Sequence, residues 1–411
     1  MSVGARPAQR SRLRERLATA LLAIVSLAFV LGLLEVAARI ARGGGGGKEG
    51  RETDVYHQYD PLLGWAKKPG ARVAYRRREY AVEVAINSKG LRDPERGYDA
   101  PPGTLRILAL GDSFLEGYTV PLEQTVTQRL ERSLRAAGAP AEVLNAGTAA
   151  YSTDQEYLFY QSEGLRYGPR VVLVFFYYND IVYNDRQDYF GLPKPIFEQR
   201  PDGLHLHRYP VREPPPAAKR PPRPEDEAQH SGSALYEWVR DRMWYGAPKA
   251  YDALARLGFW PPLPRLGQRL ELRVYQKARI AEIDDAWSKT GAILGAFARE
   301  ATSRGQHLLV IYVPSRMEVD DRSWQLSQSL YGMDESGWDR GLVARRLEQV
   351  GREQDFPVLD LTGALRKADR GWRGRPYFIY DGHWSALGHD TAAREIEAAF
   401  LARGWVPGRT D

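Results

Sequence analysis

The sequence predicts an α/β domain built on a parallel sheet covered on both faces, with a membrane-crossing helix ahead of it. Two observations predict the domain. Apolar strand-like runs alternate with helical patterns over most of the chain. One of those runs, VVLVFFYY at 171–178, has no polar interruption, as expected of a strand buried on both faces. A third observation predicts the preceding helix: the charge-free stretch LATALLAIVSLAFVLGLL at 17–34.

Taken in order, residues 1–16 form a basic tail, expected to be cytoplasmic. Five arginines against Glu15 give it four of the six net positive charges of the whole chain. The eighteen residues from Leu17 to Leu34 carry no charge, and extension to Ile40 admits only Glu35 and Arg39. A spanning helix needs about 20 apolar residues, whereas the apolar part of a cleaved signal peptide runs to about 7–15. The segment 17–40 is therefore predicted to be an uncleaved signal anchor. Arginines on its N-terminal side predict a single pass through the inner membrane with everything beyond 40 outside, in the periplasm. A long signal peptide cut near VAARIARG is the alternative. Gly43 to Gly47 mark 41–54 as a flexible linker.

Residues 55–104, including ARVAYRRREYAVEVAINSKGLRD, alternate weakly and predict a strap of small strands. The main domain follows over 105–403. LRILALG (105–111), AEVLNAG (141–147), VVLVFFYY (171–178), HLLVIYVP (307–314) and FPVLDL (356–361) predict five strands. Helical patterns fall at about 122–137, 154–167, 275–304, 338–355 and 386–403. An insertion at 182–270 breaks the alternation. Its first part, REPPPAAKRPPRPEDE, reads as a solvated loop, and its second part is rich in tryptophan and tyrosine.

Composition narrows the function. The 411 residues, 43% hydrophobic, suit a globular core. Beyond the tail the net charge is only +2, with no basic stripe interleaved with aromatics, which argues against nucleic-acid binding. There is no cysteine, which excludes disulfides, iron–sulfur ligation and a thiol nucleophile. His205 and His207 lack a nearby carboxylate cluster, so neither a metal nor another cofactor is expected.

In an open parallel sheet, ligands bind beyond the carboxyl ends of the strands. Ser113 follows the first strand in GDSF, Gly147 the second in NAG, and Asn179 the third in YYND. Asp381 and His383 lie in YDGHWS, before the final helix. These four blocks, in this order, make the chain resemble the SGNH/GDSL superfamily of hydrolases and acyltransferases over roughly 105–400. The resemblance implies a flavodoxin-like three-layer α/β/α sandwich with about five strands. It also implies a triad of Ser113 as nucleophile, His383 as base and Asp381 as orienter, with an oxyanion hole from Ser113, Gly147 and Asn179.

The chemistry suits the residue types. A serine hydroxyl needs an adjacent base, imidazole supplies one near neutral pH, a carboxylate fixes its tautomer, and preorganised donors receive the oxyanion. Asp112 reads as a turn brace, Asp180 as a cap or brace, and His389, inside the final helix, as structural. Two features depart from the usual pattern. Tyr177 stands where the third block normally has glycine, and His383 follows Asp381 by two residues rather than three. The second departure resembles the branch of membrane-linked, alginate-type polysaccharide O-acetyltransferases.

The leading expectation is an outward-facing serine esterase or O-acyltransferase acting through an acyl-serine on a glycan or envelope component. Its partners would be an acyl ester donor and a glycan acceptor, held by Trp238, Trp244, Tyr245 and Trp260 of the insertion. A lipase, lysophospholipase or thioesterase is the same-class alternative. A non-catalytic glycan-binding or scaffold protein of a polysaccharide assembly complex is the alternative from another class.

Overall fold

The computed structural model describes residues 7–41, 52–77, 79–214, 233–259, 270–371, 374–379 and 381–406. The glycine run 43–47, most of the proline-rich stretch and Trp260 lie outside these residues. The chain divides into two units: 1–46 with 225–263, and 47–224 with 264–411. The expected insertion 182–270 is thus shared between the two.

The larger unit opens with two antiparallel hairpins, β1 (His57–Asp60) with β2 (Gly64–Lys67) and β3 (Arg72–Arg76) with β4 (Ala81–Ala85). The central sheet follows: β5 (Leu105–Gly111), β6 (Ala141–Asn145) and β7 (Val171–Tyr177). Two small hairpins come next, β8 (Asp188–Tyr189) with β9 (Leu192–Pro193) and β10 (Ile196–Arg200) with β11 (Gly203–His207). The sheet is completed by β12 (His307–Val313) and β13 (Val358–Asp360). Its order is β13-β12-β7-β5-β6 and every pairing is parallel. This is the doubly wound, flavodoxin-like arrangement. The strand order reverses between β5 and β7, so the crevice opens beyond the ends of these two strands.

Alternation along the strands builds two cores. On β7, Val171, Leu173 and Phe175 join Ile107 and Ala109 of β5 under the helices Val126–Ala136 and Ala386–Ala402. Val172, Val174 and Phe176 face the other way, under the helices Thr153–Ser162, Ala281–Ser303 and Leu342–Glu353. Both faces of β7 are dry, which is why its sequence has no polar interruption. The segment 52–104 adds a third cluster, in which Tyr56, Tyr75, Tyr80 and Val84 pack on Tyr118 and Ala149.

The smaller unit contains the helix Pro7–Ala41 and a helical hairpin, Ala234–Gly246 and Pro248–Arg256. Within the first helix, Arg14–Ile40 is long and apolar enough to cross a membrane, and an eighteen-residue stretch of it has a mean hydropathy of 2.6. An N-terminal signal sequence has the same properties.

Candidate active site

Each residue of GDSFLEG has a local task. Gly111 ends β5 where a Cβ would come within 2.8 Å of Phe175 and 2.9 Å of Leu115. Only glycine lets the chain turn that close to the neighbouring strand. Asp112 caps the short helix Ser113–Glu116 by accepting from the Phe114 N–H at 2.8 Å. Burial pushes its carboxyl up to about 6, although the Phe114 N–H and His383 pull the other way. Asp112 is therefore the turn brace the sequence suggests. Gly117 ends the helix with φ +69. Ser113, the first helical residue, holds an N–H that the helix itself leaves unsatisfied.

Ser113 Oγ lies 2.7 Å from His383 Nε2, and His383 Nδ1 lies 2.6 Å from Asp381 Oδ1. The imidazole sits among the rings of Phe114, at 4.7 Å, and Tyr118, at 5.3 Å. The two-residue spacing of Asp381 and His383 is made workable by Gly382. Its φ of +82 reverses the chain, so that both side chains point the same way.

Asp381 is held on every side. Tyr80 donates its hydroxyl to Oδ2 at 2.9 Å, and the Asp381 N–H reaches Glu79 Oε2 at 2.8 Å. Burial pushes the Asp381 carboxyl up. The charge and hydrogen bond of His383, the Tyr80 hydroxyl and Arg77 outweigh it and hold the carboxyl below its usual range. Burial and the facing carboxylate push the Tyr80 phenol far above its ordinary value, so it stays a donor.

The three expected oxyanion donors differ in state. Asn179 starts the helix Asp180–Tyr183, and its buried Oδ1 has no hydrogen-bond partner. An orphaned buried acceptor costs about 1–3 kcal/mol, and functional groups are where such costs are tolerated. The Gly147 N–H donates to Asn145 Oδ1 at 3.0 Å. The glycine is needed because a Cβ there would lie 2.3 Å from the Glu116 N, in the helix that begins at Ser113. Asn145 completes the clamp by donating to the Leu115 carbonyl at 2.9 Å.

The other sequence-predicted residues fall outside the reacting chain. Asp180 accepts from the Tyr177 N–H at 3.1 Å and from Thr153 at 3.3 Å, which is the bracing expected of it. Burial and Asp112 push its carboxyl well up. Tyr177 packs its ring against Phe114 in a tilted arrangement, with centroids 4.7 Å apart. His389 is buried, accepts from the Val126 N–H at 3.2 Å, and is held neutral because burial drives it down to about 3. His205 pairs with Asp202 at 2.9 Å on the exposed β10–β11 hairpin. Among the described residues, no three metal-ligating side chains converge. Trp238 is 46% exposed in the smaller unit, and the Trp244 and Tyr245 side chains lie outside the described residues.

What sequence reasoning missed is the tether from 52–104 to the loops that carry Ser113, Gly147 and Asp381. Arg92, fully buried, donates to the Glu116, Gly117 and Val120 carbonyls at 2.7–2.9 Å. Lys67 donates to the Gly147 carbonyl and to Thr148, and burial brings its ammonium down to about 8 against the pull of Glu116. Tyr56 and the Ala149 N–H, each at 2.6 Å, take the two oxygens of Glu116. None of these contacts has a local signature in the sequence.

No family model and no curated protein matches the chain. Among solved structures, it is similar to a lipase/acylhydrolase from Enterococcus faecalis, at 13% identity and a TM-score of 0.38 over 75% of this chain and 100% of that one. It is also similar to an acetyl xylan esterase from Geobacillus stearothermophilus, at 12% and 0.35 over 72% and 94%. A GDSL-like lipase from Bacteroides thetaiotaomicron gives 9% and 0.32 over 72% and 88%.

Proposed function

We propose that the chain is a serine esterase of the SGNH/GDSL type, anchored in the inner membrane with its catalytic unit in the periplasm. The observation that carries the reading is the continuous chain Ser113 Oγ, His383 Nε2, His383 Nδ1, Asp381 Oδ1, with both contacts within 2.7 Å.

In this reading Ser113 Oγ attacks an ester carbonyl while His383 Nε2 takes the hydroxyl proton. The Asp381 carboxylate, kept ionised, orients the ring and stabilises the imidazolium that forms. The Ser113 N–H and the Asn179 amide receive the oxyanion. Gly147 is a third donor only when its N–H turns from Asn145. Collapse of the tetrahedral intermediate breaks the ester C–O bond, and His383 returns the proton to the leaving alcohol. Water, activated by the same histidine, then hydrolyses the acyl-serine.

The expected substrate is an acyl ester of a glycan or envelope component. A sugar hydroxyl in place of water gives O-acyl transfer from the same intermediate, since positioning of an acceptor is worth an effective molarity of about 10⁵ M or more. The arginine tail and the apolar helix support the anchored topology.

The test uses the full chain on p-nitrophenyl esters of graded acyl length, with mass spectrometry of the trapped intermediate. An acyl adduct on Ser113, absent from Ser113→Ala, is the expected result. Turnover by Ser113→Ala at the parent rate would overturn the nucleophile assignment. With a glycan acceptor added, the ratio of acylated glycan to free acid separates transfer from hydrolysis.

A further inference from the structure

The smaller unit has an unusual arrangement at the end of its long helix. The eighteen uncharged residues 17–34 rise about 27 Å at 1.5 Å each, close to the ~30 Å of a bilayer's hydrocarbon. The next residue is Glu35. Its carboxylate accepts from Ser233 Oγ at 2.8 Å, the Ala234 N–H at 3.0 Å and the Leu235 N–H at 2.8 Å, and pairs with Arg39 at 2.6 Å. One acidic side chain on the apolar helix thus holds the start of the helix Ala234–Gly246. The hairpin closes on itself where the Tyr236 hydroxyl donates to the Phe259 carbonyl at 2.9 Å.

This hairpin exposes what a water-soluble surface avoids. Trp238 is 46% exposed, Val239 37%, Leu257 72% and Phe259 62%. Outside the long helix, only three other large hydrophobic residues among those described are comparably exposed: Tyr59, Tyr209 and Leu401. Cations lie between the apolar groups. Arg242 sits 4.4 Å over the Trp238 ring, and Lys249 and Arg256 are exposed. Tryptophan, large aliphatic groups and basic residues together are the signature of a segment lying in the headgroup zone.

We propose that the hairpin 233–259 lies in the interface of the same phospholipid bilayer that residues 17–34 cross. Glu35 docks it there, and Trp238, Leu257 and Phe259 enter the boundary between headgroups and acyl chains. The occupant of these exposed apolar groups is lipid, because Glu35, the residue that ends the apolar stretch, fixes the start of the hairpin. The proposal rests on the anchored reading of residues 17–34.

The cysteine-free sequence makes the test direct. Full-length Leu257→Cys, Phe259→Cys and Leu27→Cys are each labelled with an environment-sensitive fluorophore and reconstituted in phosphatidylglycerol–phosphatidylethanolamine vesicles. Quenching is then compared between lipids spin-labelled at shallow and deep positions and a water-soluble quencher. The labels at 257 and 259 are expected to be quenched by shallow lipid probes and shielded from water, and the label at 27 by deep probes. Adding Glu35→Ala should return the 257 label to water while hydrolysis of a soluble ester stays unchanged. If 27 is quenched deep and 257 and 259 respond only to the water-soluble quencher, the interfacial hairpin is wrong and the anchor stands. If 27 is water-exposed as well, both fall.

Discussion

Tyr80→Phe removes one oxygen atom from the site, and the structure sets the size of the effect. The lost contact is a phenol donating at 2.9 Å to a carboxylate whose side chain is only 17% exposed. Hydrogen bonds to charged groups are worth about 1.5–3 kcal/mol net, and the residual exposure of Asp381 brings the expected stability loss to about 1–2 kcal/mol. The ring keeps its packing against Phe378 at 5.3 Å and Tyr118 at 6.3 Å, so no cavity forms. The loss depends on pH with a definite sign. The folded Asp381 carboxyl lies below its usual value, so its stabilisation is complete above the unfolded value of about 4 and fades as pH falls through the folded one. Chemical denaturation at pH 7 should separate parent and variant, and the gap should narrow below pH 4. Catalysis should suffer less than the full bond. The carboxylate is charged in both ground and transition states, and only its orientation is lost. A fall in kcat of about 3–10-fold, or ~0.7–1.4 kcal/mol, with KM nearly constant is expected. Parent-like kcat and denaturation at pH 7 would show that the hydroxyl does not hold Asp381. A loss as deep as that of Ser113→Ala would show that Tyr80 does more than position it.

Ser113→Ala and His383→Ala should each abolish ester turnover, and the double variant should be no worse than either, because the residues act as a unit; additive losses in steady-state kinetics would break the triad. Asn179→Ala should lower kcat by about 10²–10³ and leave thermal stability no lower, since its buried Oδ1 has no partner to lose; a change confined to KM would reduce it to a binding residue. Asp112→Asn keeps the capping oxygen and removes a carboxyl that burial raises to about 6. The parent's contribution from this group is present below about pH 4 and lost as pH rises through 6, at most ~3 kcal/mol. Denaturation midpoints of the variant should therefore fall less than the parent's between pH 4 and 7.

β7 was the most readable strand because it is buried on both faces and has no polar residue to interrupt it, whereas the half-buried β13 was readable only as a short apolar run ending in aspartate. The meeting of Ser113, His383 and Asp381 was legible because each follows a strand end in a short motif. Gly147 was legible as a glycine just beyond β6, but its close packing on Glu116 was not, since NAG carries no mark of it. Tyr80, Arg92 and Lys67 were invisible. Each acts on a residue far along the chain, and nothing near Tyr80 marks it as the partner of a carboxylate 301 positions later. The small β8–β9 and β10–β11 hairpins were missed because two to five residues carry too little periodicity against a polar background.

The distance between the proposed nucleophile and its proposed base has a consequence in time. Ser113 and His383 are 270 positions apart, and synthesis at about 5–20 residues per second puts roughly 15–50 s between them. Throughout that interval the growing chain carries its serine as an ordinary alcohol. The segment 52–104 that grips the loops is already made, but the base, its carboxylate and the helix Ala386–Ala402 that covers β5 are not. On the proposed mechanism, a chain that stops short of residue 383 lacks its base and is expected to turn over esters no better than His383→Ala, however well its sheet has formed.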